Sequence, residues 1–254
     1  MTEPVFGGVG VALVTLFDDD GDVDTAATAK LAARLVDAGL RAVVVAGSTG
    51  EAAALSADER IGLLDAVRAE LSAEIPVIAG TGAPSARQAA ALTADAASHG
   101  ADAVVVLSPP GSLDLDGYYR TVTAAAGETP VLGYHYPTVS PPGIPVEAFS
   151  KLPVVGLKDS SGDPERLLRE LEEWDRPLYT GSSALLSFAG PLGCTGAILA
   201  LANAEPERCI EAFDGDAGAQ RALTLAHVAA HEAFPRRLKQ LVADRFGTSA
   251  VTRT

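Results

Sequence analysis

The chain has 254 residues, of which 48% are hydrophobic and 20% are charged, and its formal net charge is −14. That length and apolar content suit one large α/β domain, while the negative charge argues against nucleic acid as a partner, because phosphate binding needs clustered cations. The sequence has no basic cluster or long apolar span typical of membrane proteins, and residues 1–4 lack a signal-peptide pattern, so we expect a cytoplasmic protein with no membrane partner.

Short apolar runs rich in β-branched residues alternate along the chain with Ala- and Leu-rich helical patterns. The predicted strands are 9–15, 42–46, 77–79, 103–107, 131–134, 154–158, 178–180 and 196–200. The predicted helices are 25–38, 57–71, 85–99, 115–126, 145–152, 164–174, 184–192 and 206–214, followed by a long helical pattern over 217–246 that is interrupted at Pro235.

Eight strand–helix repeats predict an α/β fold of the (β/α)8 TIM barrel type. Strands that alternate with helices and are apolar on both faces favour a parallel sheet with both faces covered. A doubly wound open sheet is the alternative, but no GxGxxG motif follows the first predicted strand. We expect a single domain over residues 1–254, with 217–254 as a short C-terminal helical extension that caps the barrel or contacts another subunit.

Several residues indicate where helices begin. Ser56 and Glu59 have the spacing of a capping box, and Ser85 is a plausible N-cap. Asp163 is another plausible N-cap, because Pro164 follows it at the first helical position.

Metal and disulfide chemistry are not indicated. Cys194 and Cys209 are too few for a disulfide framework or a metal cluster, so we expect two ordinary buried thiols. His227 and His231 are four residues apart but lack a third ligand, and we expect them on a helix surface. We therefore expect no metal and no cofactor.

Lys158 is the most informative residue. It is one of four lysines, and the other three, at positions 30, 151 and 239, fall in patterns typical of a helix surface. Lys158 instead ends an apolar run that predicts a buried strand. Burial lowers the pKa of an amine and leaves more of it neutral, as Schiff-base chemistry with a carbonyl substrate requires. The alternative is a lysine at a strand end with its ammonium group in solvent.

Polar residues follow several other strands, and in a barrel the catalytic groups gather at the C-terminal ends of the strands. Residues 47–51 (Gly-Ser-Thr-Gly-Glu) form a glycine-flanked turn that can hold a carboxylate with backbone N–H groups, or else an ordinary βα turn. Tyr134 ends the fifth predicted strand and is either a site residue or a core aromatic.

These segments together resemble a known family. Gly-Ser-Thr-Gly-Glu at 47–51, Tyr-His-Tyr-Pro at 134–137 and Val-Gly-Leu-Lys-Asp-Ser-Ser-Gly-Asp at 155–163 occur in that order. The combination is similar to the dihydrodipicolinate synthase/N-acetylneuraminate lyase family of class I aldolases, and the likeness extends over nearly the whole chain. It implies a (β/α)8 barrel, usually a homotetramer, that acts on pyruvate or releases it.

The resemblance also implies roles for individual residues. Lys158 would form the Schiff base with the 2-keto carbon of the substrate, and Tyr134 would relay protons. Ser48 and Thr49 would hold the pyruvyl carboxylate. Ile198 would form an apolar wall near the keto acid, and Gly47 and Gly181 would complete the substrate site.

The chain departs from the family at two places. Many members carry Pro-Tyr-Tyr after the fourth strand, where this chain has Ser-Pro-Pro-Gly at 108–111; Tyr118 and Tyr119 are nearby, but we expect both to be packing residues. Dihydrodipicolinate synthases also carry an arginine where this chain has Val139. The form Tyr-x-Tyr-Pro-Thr is nearer to the archaeal 2-keto-3-deoxygluconate aldolase branch.

We therefore expect an aldolase that cleaves a 2-keto-3-deoxy sugar acid, such as 2-keto-3-deoxygluconate, to pyruvate and an aldehyde. One alternative is a dihydrodipicolinate synthase or a related sugar-acid lyase or dehydratase. Another, from a different class, is a non-catalytic paralogue that only binds a keto acid, since fold does not imply function.

Overall fold

The computed structural model describes residues 3–111 and 114–254. Within these residues, eight parallel strands close into a barrel in which each strand pairs with the next in sequence and β8 pairs with β1. The strands are β1 (Gly8–Ala12), β2 (Val43–Val45), β3 (Val77–Gly80), β4 (Ala103–Leu107), β5 (Val131–His135), β6 (Gly156–Asp159), β7 (Leu178–Thr180) and β8 (Gly196–Leu199). The predicted TIM barrel is confirmed, and the open-sheet alternative is wrong.

Helices follow the strands in alternation, with further helices after β8. They are α1 (Thr25–Asp37), α2 (Ala57–Glu70), α3 (Ala86–Ser98), α4 (Leu115–Ala126), α5 (Pro164–Glu173), α6 (Leu186–Ala189), α7 (Pro206–Phe213), α8 (Ala217–Ala222), α9 (Thr224–Glu232) and α10 (Arg236–Phe246). The predicted break at Pro235 separates α9 from α10. None of the described helices is long and apolar enough to cross a membrane.

Two predicted helices differ from the structure. The segment predicted as helix 145–152 is a 3₁₀ segment, Val146–Lys151, and the one predicted over 184–192 contains only the single turn α6. Pro191 explains the second difference in part, because proline lacks the N–H needed to continue the hydrogen-bond ladder of a helix. In contrast, the predicted capping box of Ser56 and Glu59 and the predicted N-caps Ser85 and Asp163 are all present.

Strand alternation explains why both faces of the sheet are apolar. In β2, Val44 packs inside the barrel, while Val43 and Val45 pack against the surrounding helices. Phe6, which precedes β1, stacks on Tyr179 inside the barrel with ring centres 4.7 Å apart. The interior is therefore filled towards the N-terminal end, and the opposite rim, where all eight strands end, is left to form a site.

Candidate functional site

Lys158 points into the barrel from β6. Its neighbour Leu157 packs in the outer layer, as strand alternation requires, and Lys158 itself is only 5% exposed. Burial lowers the pKa of this amine to about 7. Among the described residues it has no carboxylate within ion-pair distance. The predicted buried strand is confirmed, and the solvent-exposed alternative is wrong.

The adjacent carboxylate, Asp159, faces away from the barrel and has its own partners. Its two oxygens accept hydrogen bonds from the backbone N–H and the hydroxyl of Ser161, both at 2.8 Å. Arg166 on α5 lies 3.8 Å from the same carboxylate. The nearest acidic group in sequence is thus engaged elsewhere, which leaves Lys158 without a counter-ion.

Tyr134 lies beside Lys158 on β5, with the two Cα atoms paired in register. The Lys158 Nζ is 4.1 Å from the centre of the Tyr134 ring. Burial raises the pKa of the Tyr134 phenol to about 12, although interactions with the Ser160 and Ser48 hydroxyls act in the opposite direction. At neutral pH the phenol is therefore protonated and can donate a hydrogen bond.

These side chains line a cavity of about 280 Å³ at the C-terminal rim of the barrel. The predicted site residues that line it are Ser48, Thr49, Tyr134, Lys158, Gly181 and Ile198. Gly47 is not among the lining residues; its carbonyl instead accepts hydrogen bonds from the N–H groups of Gly50 and Ala52 inside the turn. The structure thus brings together six of the seven site residues predicted from the sequence.

The turn 47–51 is held in a defined shape. Thr15, at the end of the first predicted strand, donates a hydrogen bond from its hydroxyl to the Gly50 carbonyl at 2.7 Å. Ala46, just before the turn, and Glu51, its last residue, both have positive φ angles, 51° and 56°. Such strained residues persist where the surroundings fix them, often at functional sites.

The same turn presents donors to the cavity. Within the described residues, the backbone N–H groups of Ser48 and Thr49 have no hydrogen-bond partner, and both residues line the cavity. Their hydroxyls add two further donors. A concave arrangement of backbone N–H groups and hydroxyls can bind a small anion such as a carboxylate.

Lys239 does not lie on a helix surface, so that prediction is wrong. It is completely buried, and its Nζ donates hydrogen bonds to Glu51 Oε1 at 2.6 Å and to the Val251 carbonyl at 2.7 Å. Nζ also lies 4.1 Å from the centre of the Phe17 ring. A lysine is buried in this way when it is paired, and no local pattern around Lys239 indicates a partner 188 positions away.

The second oxygen of Glu51 binds a different segment. Its Oε2 accepts hydrogen bonds from the backbone N–H groups of Arg253 and Thr254, at 2.8 and 2.9 Å, and from the Thr254 hydroxyl. Glu51 therefore joins the turn that faces the cavity both to α10 and to residues 251–254.

Sequence reasoning also missed two site residues on α9. His227 and His231 were expected on a helix surface, but both line the cavity. The His227 Nδ1 is 2.7 Å from the hydroxyl of Ser183, another lining residue, and the two imidazole centres are 4.3 Å apart. Their i, i+4 spacing placed them on one face of a helix, but did not show that α9 turns this face towards the barrel.

Gly181 lines the cavity where β7 ends, and no side chain fits there. A Cβ at this position would collide with the Ser160 hydroxyl, and it would lie 3.2 Å from the Asp159 carbonyl. The Gly181 N–H donates to that same carbonyl at 2.6 Å. The glycine therefore allows close approach between the ends of β6 and β7.

The two tyrosines of α4 are packing residues, as expected. The hydroxyls of Tyr118 and Tyr119 donate to the carbonyls of Ala83 and Val106, both at 2.9 Å. Neither tyrosine lines the cavity. They therefore do not replace the tyrosine that many family members carry after the fourth strand.

The second departure from the family pattern lies at the edge of the site. Val139 is 53% exposed and lies outside the cavity lining, whereas Thr138 beside it lines the cavity. The position that carries an arginine in dihydrodipicolinate synthases thus contributes no charge to the lining.

The two cysteines and the possible metal ligands were also located in the structure. Both cysteines are buried and free, as expected. In the described part of the chain, no group of three His, Cys, Asp or Glu side chains is placed to hold a metal ion.

Comparison with known proteins identifies the family. The chain is 39% identical over 229 residues to an uncharacterized DapA-like lyase of Halobacterium salinarum, covering 85% of this chain and 75% of that protein. It is 35% identical over 244 residues to the 4-hydroxy-tetrahydrodipicolinate synthase of Pseudomonas aeruginosa, covering 91% and 83%. The crystal structure of dihydrodipicolinate synthase DapA-2 from Bacillus anthracis superposes with a TM-score of 0.86 at 27% identity, covering 98% and 92% of the two chains. Since the dihydrodipicolinate synthetase family pattern also matches residues 5–251, the chain belongs to that family.

Proposed function

We propose that this lyase is a Schiff-base-forming class I aldolase that cleaves a 2-keto-3-deoxy sugar acid, such as 2-keto-3-deoxygluconate, to pyruvate and an aldehyde. One observation carries the proposal: Lys158 is a buried amine without a counter-ion, and its pKa is lowered to about 7 at the wall of a cavity. A neutral amine is the nucleophile that imine formation requires.

In the proposed reaction the neutral Lys158 amine attacks the 2-keto carbon of the substrate. The resulting carbinolamine loses water to give an imine, which is protonated. The proton of the C4 hydroxyl is then removed, the C3–C4 bond breaks, and its electron pair moves towards the imine nitrogen to give an enamine. The aldehyde leaves, the enamine takes up a proton at C3, and water releases pyruvate and regenerates Lys158.

Tyr134 is the proposed proton relay. Its phenol is protonated at neutral pH, lies beside Lys158, and interacts with the Ser48 hydroxyl. A phenol that donates one proton while accepting another can serve both the carbinolamine and the aldol hydroxyl without remaining ionised. Ser48 is assigned a part in this relay because its hydroxyl interacts with that phenol.

The substrate carboxylate is assigned to the turn after β2. The unpaired N–H groups and the hydroxyls of Ser48 and Thr49 are suited to it, and Gly47 fixes the turn behind them. Ile198 supplies an apolar wall, and Gly181 leaves room for the keto acid beside Lys158. No cofactor enters this scheme, because the imine itself accepts the electron pair.

The assignment of a sugar acid rests on the polar character of the cavity. Its described lining contains no arginine, and its polar groups are mostly hydroxyls with two imidazoles. Such a lining suits a neutral polyhydroxy aldehyde. Aspartate semialdehyde, the second substrate of a dihydrodipicolinate synthase, carries a carboxylate that would lack a guanidinium partner, and a hydrogen bond to a charged group contributes about 1.5–3 kcal/mol.

The second candidate function is 4-hydroxy-tetrahydrodipicolinate synthase, which the 35% identical Pseudomonas aeruginosa relative favours. The test compares kcat/KM for cleavage of 2-keto-3-deoxygluconate with kcat/KM for condensation of pyruvate with aspartate semialdehyde, at low and high salt. We expect a clear preference for the sugar acid. A preference for aspartate semialdehyde would support the second function, and absence of turnover with bound pyruvate would support a keto-acid-binding paralogue. Lys158→Arg is the matched inactive control.

Assembly and location are also proposals. The family resemblance favours a homotetramer, and as a member of this family of small-molecule lyases the protein is proposed to act in the cytoplasm. Light scattering coupled to size exclusion measures the first, and a mass near that of a single 25.9 kDa chain would contradict it.

A further inference from the structure

We propose that His227 and His231 of α9, together with Ser183, bind the hydroxyl groups of the aldehyde-derived half of the substrate and so determine which aldehyde the enzyme accepts. This inference rests on the proposed aldolase function and deepens it by assigning residues to the part of the substrate that does not react with Lys158.

The position of the two histidines supports this assignment. Lys158 is buried, whereas His231 is exposed and His227 is half-buried, although all three line one cavity. The histidines therefore lie towards the opening of the cavity. A keto acid held by its carboxylate at Ser48 and its 2-keto carbon at Lys158 extends its remaining carbons towards that opening.

Hydrogen bonding fixes the ring of His231. Its Nδ1 is 2.8 Å from the backbone carbonyl of His227. A carbonyl oxygen only accepts, so Nδ1 must carry the proton. In the neutral ring, Nε2 is then a free acceptor.

His227 has the complementary arrangement. Ser183 is only 4% exposed, and among the described residues its hydroxyl contacts no polar side chain other than the His227 Nδ1, at 2.7 Å. When this hydroxyl donates to Nδ1, the Nε2 of His227 carries the proton and becomes a donor. The two rings, with centres 4.3 Å apart and planes tilted by 39°, together offer one donor and one acceptor. This pair matches hydroxyl groups on neighbouring carbons, since each hydroxyl both donates and accepts.

The charge state of His227 favours a neutral ligand. Burial and the neighbouring His231 lower the pKa of His227 below its usual value, so this ring is neutral at pH 7. The cavity lining in the described residues has no arginine to add positive charge, and Phe234 and Ala230 supply an apolar flank for C–H groups. A phosphate or carboxylate at this end of the substrate would lack an arginine partner in the described lining.

The test measures condensation of pyruvate with each of two aldehydes. Glyceraldehyde has a hydroxyl on both carbons beyond the aldehyde group, and propanal has none. We expect His227→Phe and Ser183→Ala each to lower the ratio of kcat/KM for glyceraldehyde to kcat/KM for propanal by about tenfold, the effect of about one lost hydrogen bond. His99→Phe is the matched control, because His99 pairs with Asp65 on the protein surface, and it should leave the ratio unchanged.

Two outcomes would overturn the inference. The first is a ratio that stays unchanged in both variants, including the case in which kcat/KM falls equally for both aldehydes. The second is a wild-type preference at pH 7 for glyceraldehyde 3-phosphate over glyceraldehyde. Thermal unfolding midpoints of the variants show whether each has folded. Failure of the aldolase proposal is distinct, because it appears in the wild type as the absence of a borohydride-trapped pyruvate adduct on Lys158.

Discussion

The Nζ of Lys158 lies 4.1 Å from the centre of the Tyr134 ring, on a neighbouring strand where the two Cα atoms are paired in register. The ring covers the amine and helps to remove it from water, while the phenol hydroxyl faces the same cavity. One pair of adjacent strand positions thus buries the proposed nucleophile and places a protonated phenol beside it.

Covalent trapping tests the nucleophile. Borohydride added with pyruvate should attach a reduced pyruvyl group to Lys158 and inactivate the enzyme, because the neutral amine forms an imine that hydride reduces. Peptide mass mapping locates the adduct. Lys158→Arg should be inactive, since a guanidinium stays protonated. Lys239 is an internal control: it is also buried, but it is paired with Glu51, and labelling there would contradict the assignment.

Burial of Lys158 should reduce the stability of the fold in a pH-dependent way. The pKa of Lys158 is about 7 in the folded protein, whereas the ordinary value for a lysine side chain, which applies to the unfolded chain, is 10.5. Between these values the unfolded chain binds more protons, so stability rises with pH by up to about 1.4 kcal/mol per unit. Below pH 7 the amine is protonated in both the folded and the unfolded chain. The folded protein then has the full loss of stability that burial of the charged amine causes; this loss is the deficit that a substitution can remove.

Lys158→Met removes this deficit. We expect the variant to be more stable than the wild type at pH 7, with the difference in free energy of unfolding shrinking by about 2–3 kcal/mol from pH 7 to pH 9. Urea unfolding of both proteins at each pH measures it. A difference that stays constant with pH would mean that Lys158 keeps an ordinary pKa.

The barrel and much of its rim were predictable because they depend on local patterns. Apolar runs that alternate with helical patterns predict the eight strands directly. Because the strands are parallel, residues at their C-terminal ends, such as Ser48, Tyr134 and Lys158, lie at the same rim. The burial of Lys158 followed from the apolar run that precedes it.

Contacts between distant segments were not predictable in this way. Lys239 lies in a polar helical pattern, and only the packing of α10 against Glu51 buries it. His227 and His231 share a helix face, but nothing in their local sequence shows that α9 turns that face towards the cavity. The family comparison drew attention to position 139, but it is Thr138 beside it that lines the cavity.

Tyr134→Phe tests the relay. The ring remains over Lys158, but the hydroxyl is lost, so we expect kcat to fall by about 10²–10³, the range for one positioned proton-transfer group. Imine formation should persist at a lower rate, which single-turnover trapping can follow. Tyr118→Phe is the matched control: it removes a hydroxyl that bonds to the Ala83 carbonyl outside the cavity, and it should change stability rather than kcat. An unchanged kcat in Tyr134→Phe would assign Tyr134 to packing alone.

The ion pair of Glu51 and Lys239 should support both stability and the turn after β2. Lys239→Met leaves a buried carboxylate without its cation, so we expect a loss of about 3–5 kcal/mol in the free energy of unfolding. The KM for pyruvate should also rise, because Glu51 fixes one end of the turn that contains Ser48 and Thr49. Urea unfolding and steady-state kinetics measure the two effects.

The double variant Glu51→Gln/Lys239→Met provides the control for that pair. It removes both charges, so its loss should be smaller than the sum of the two single losses. Additive losses would show that the two side chains act independently and would contradict the coupling inferred from their 2.6 Å contact.

The separation of Lys158 and Tyr134 on the barrel strands from His227 on α9 has a consequence for engineering. Lys158 and Tyr134 lie about 70 and about 90 positions before His227 in the chain, so random substitution over α9 can sample new aldehyde preferences while the strands that carry the proposed nucleophile and relay stay intact. A mutant library confined to residues 224–234, screened for condensation of pyruvate with unnatural aldehydes, is therefore a compact route to catalysts for new carbon–carbon bonds.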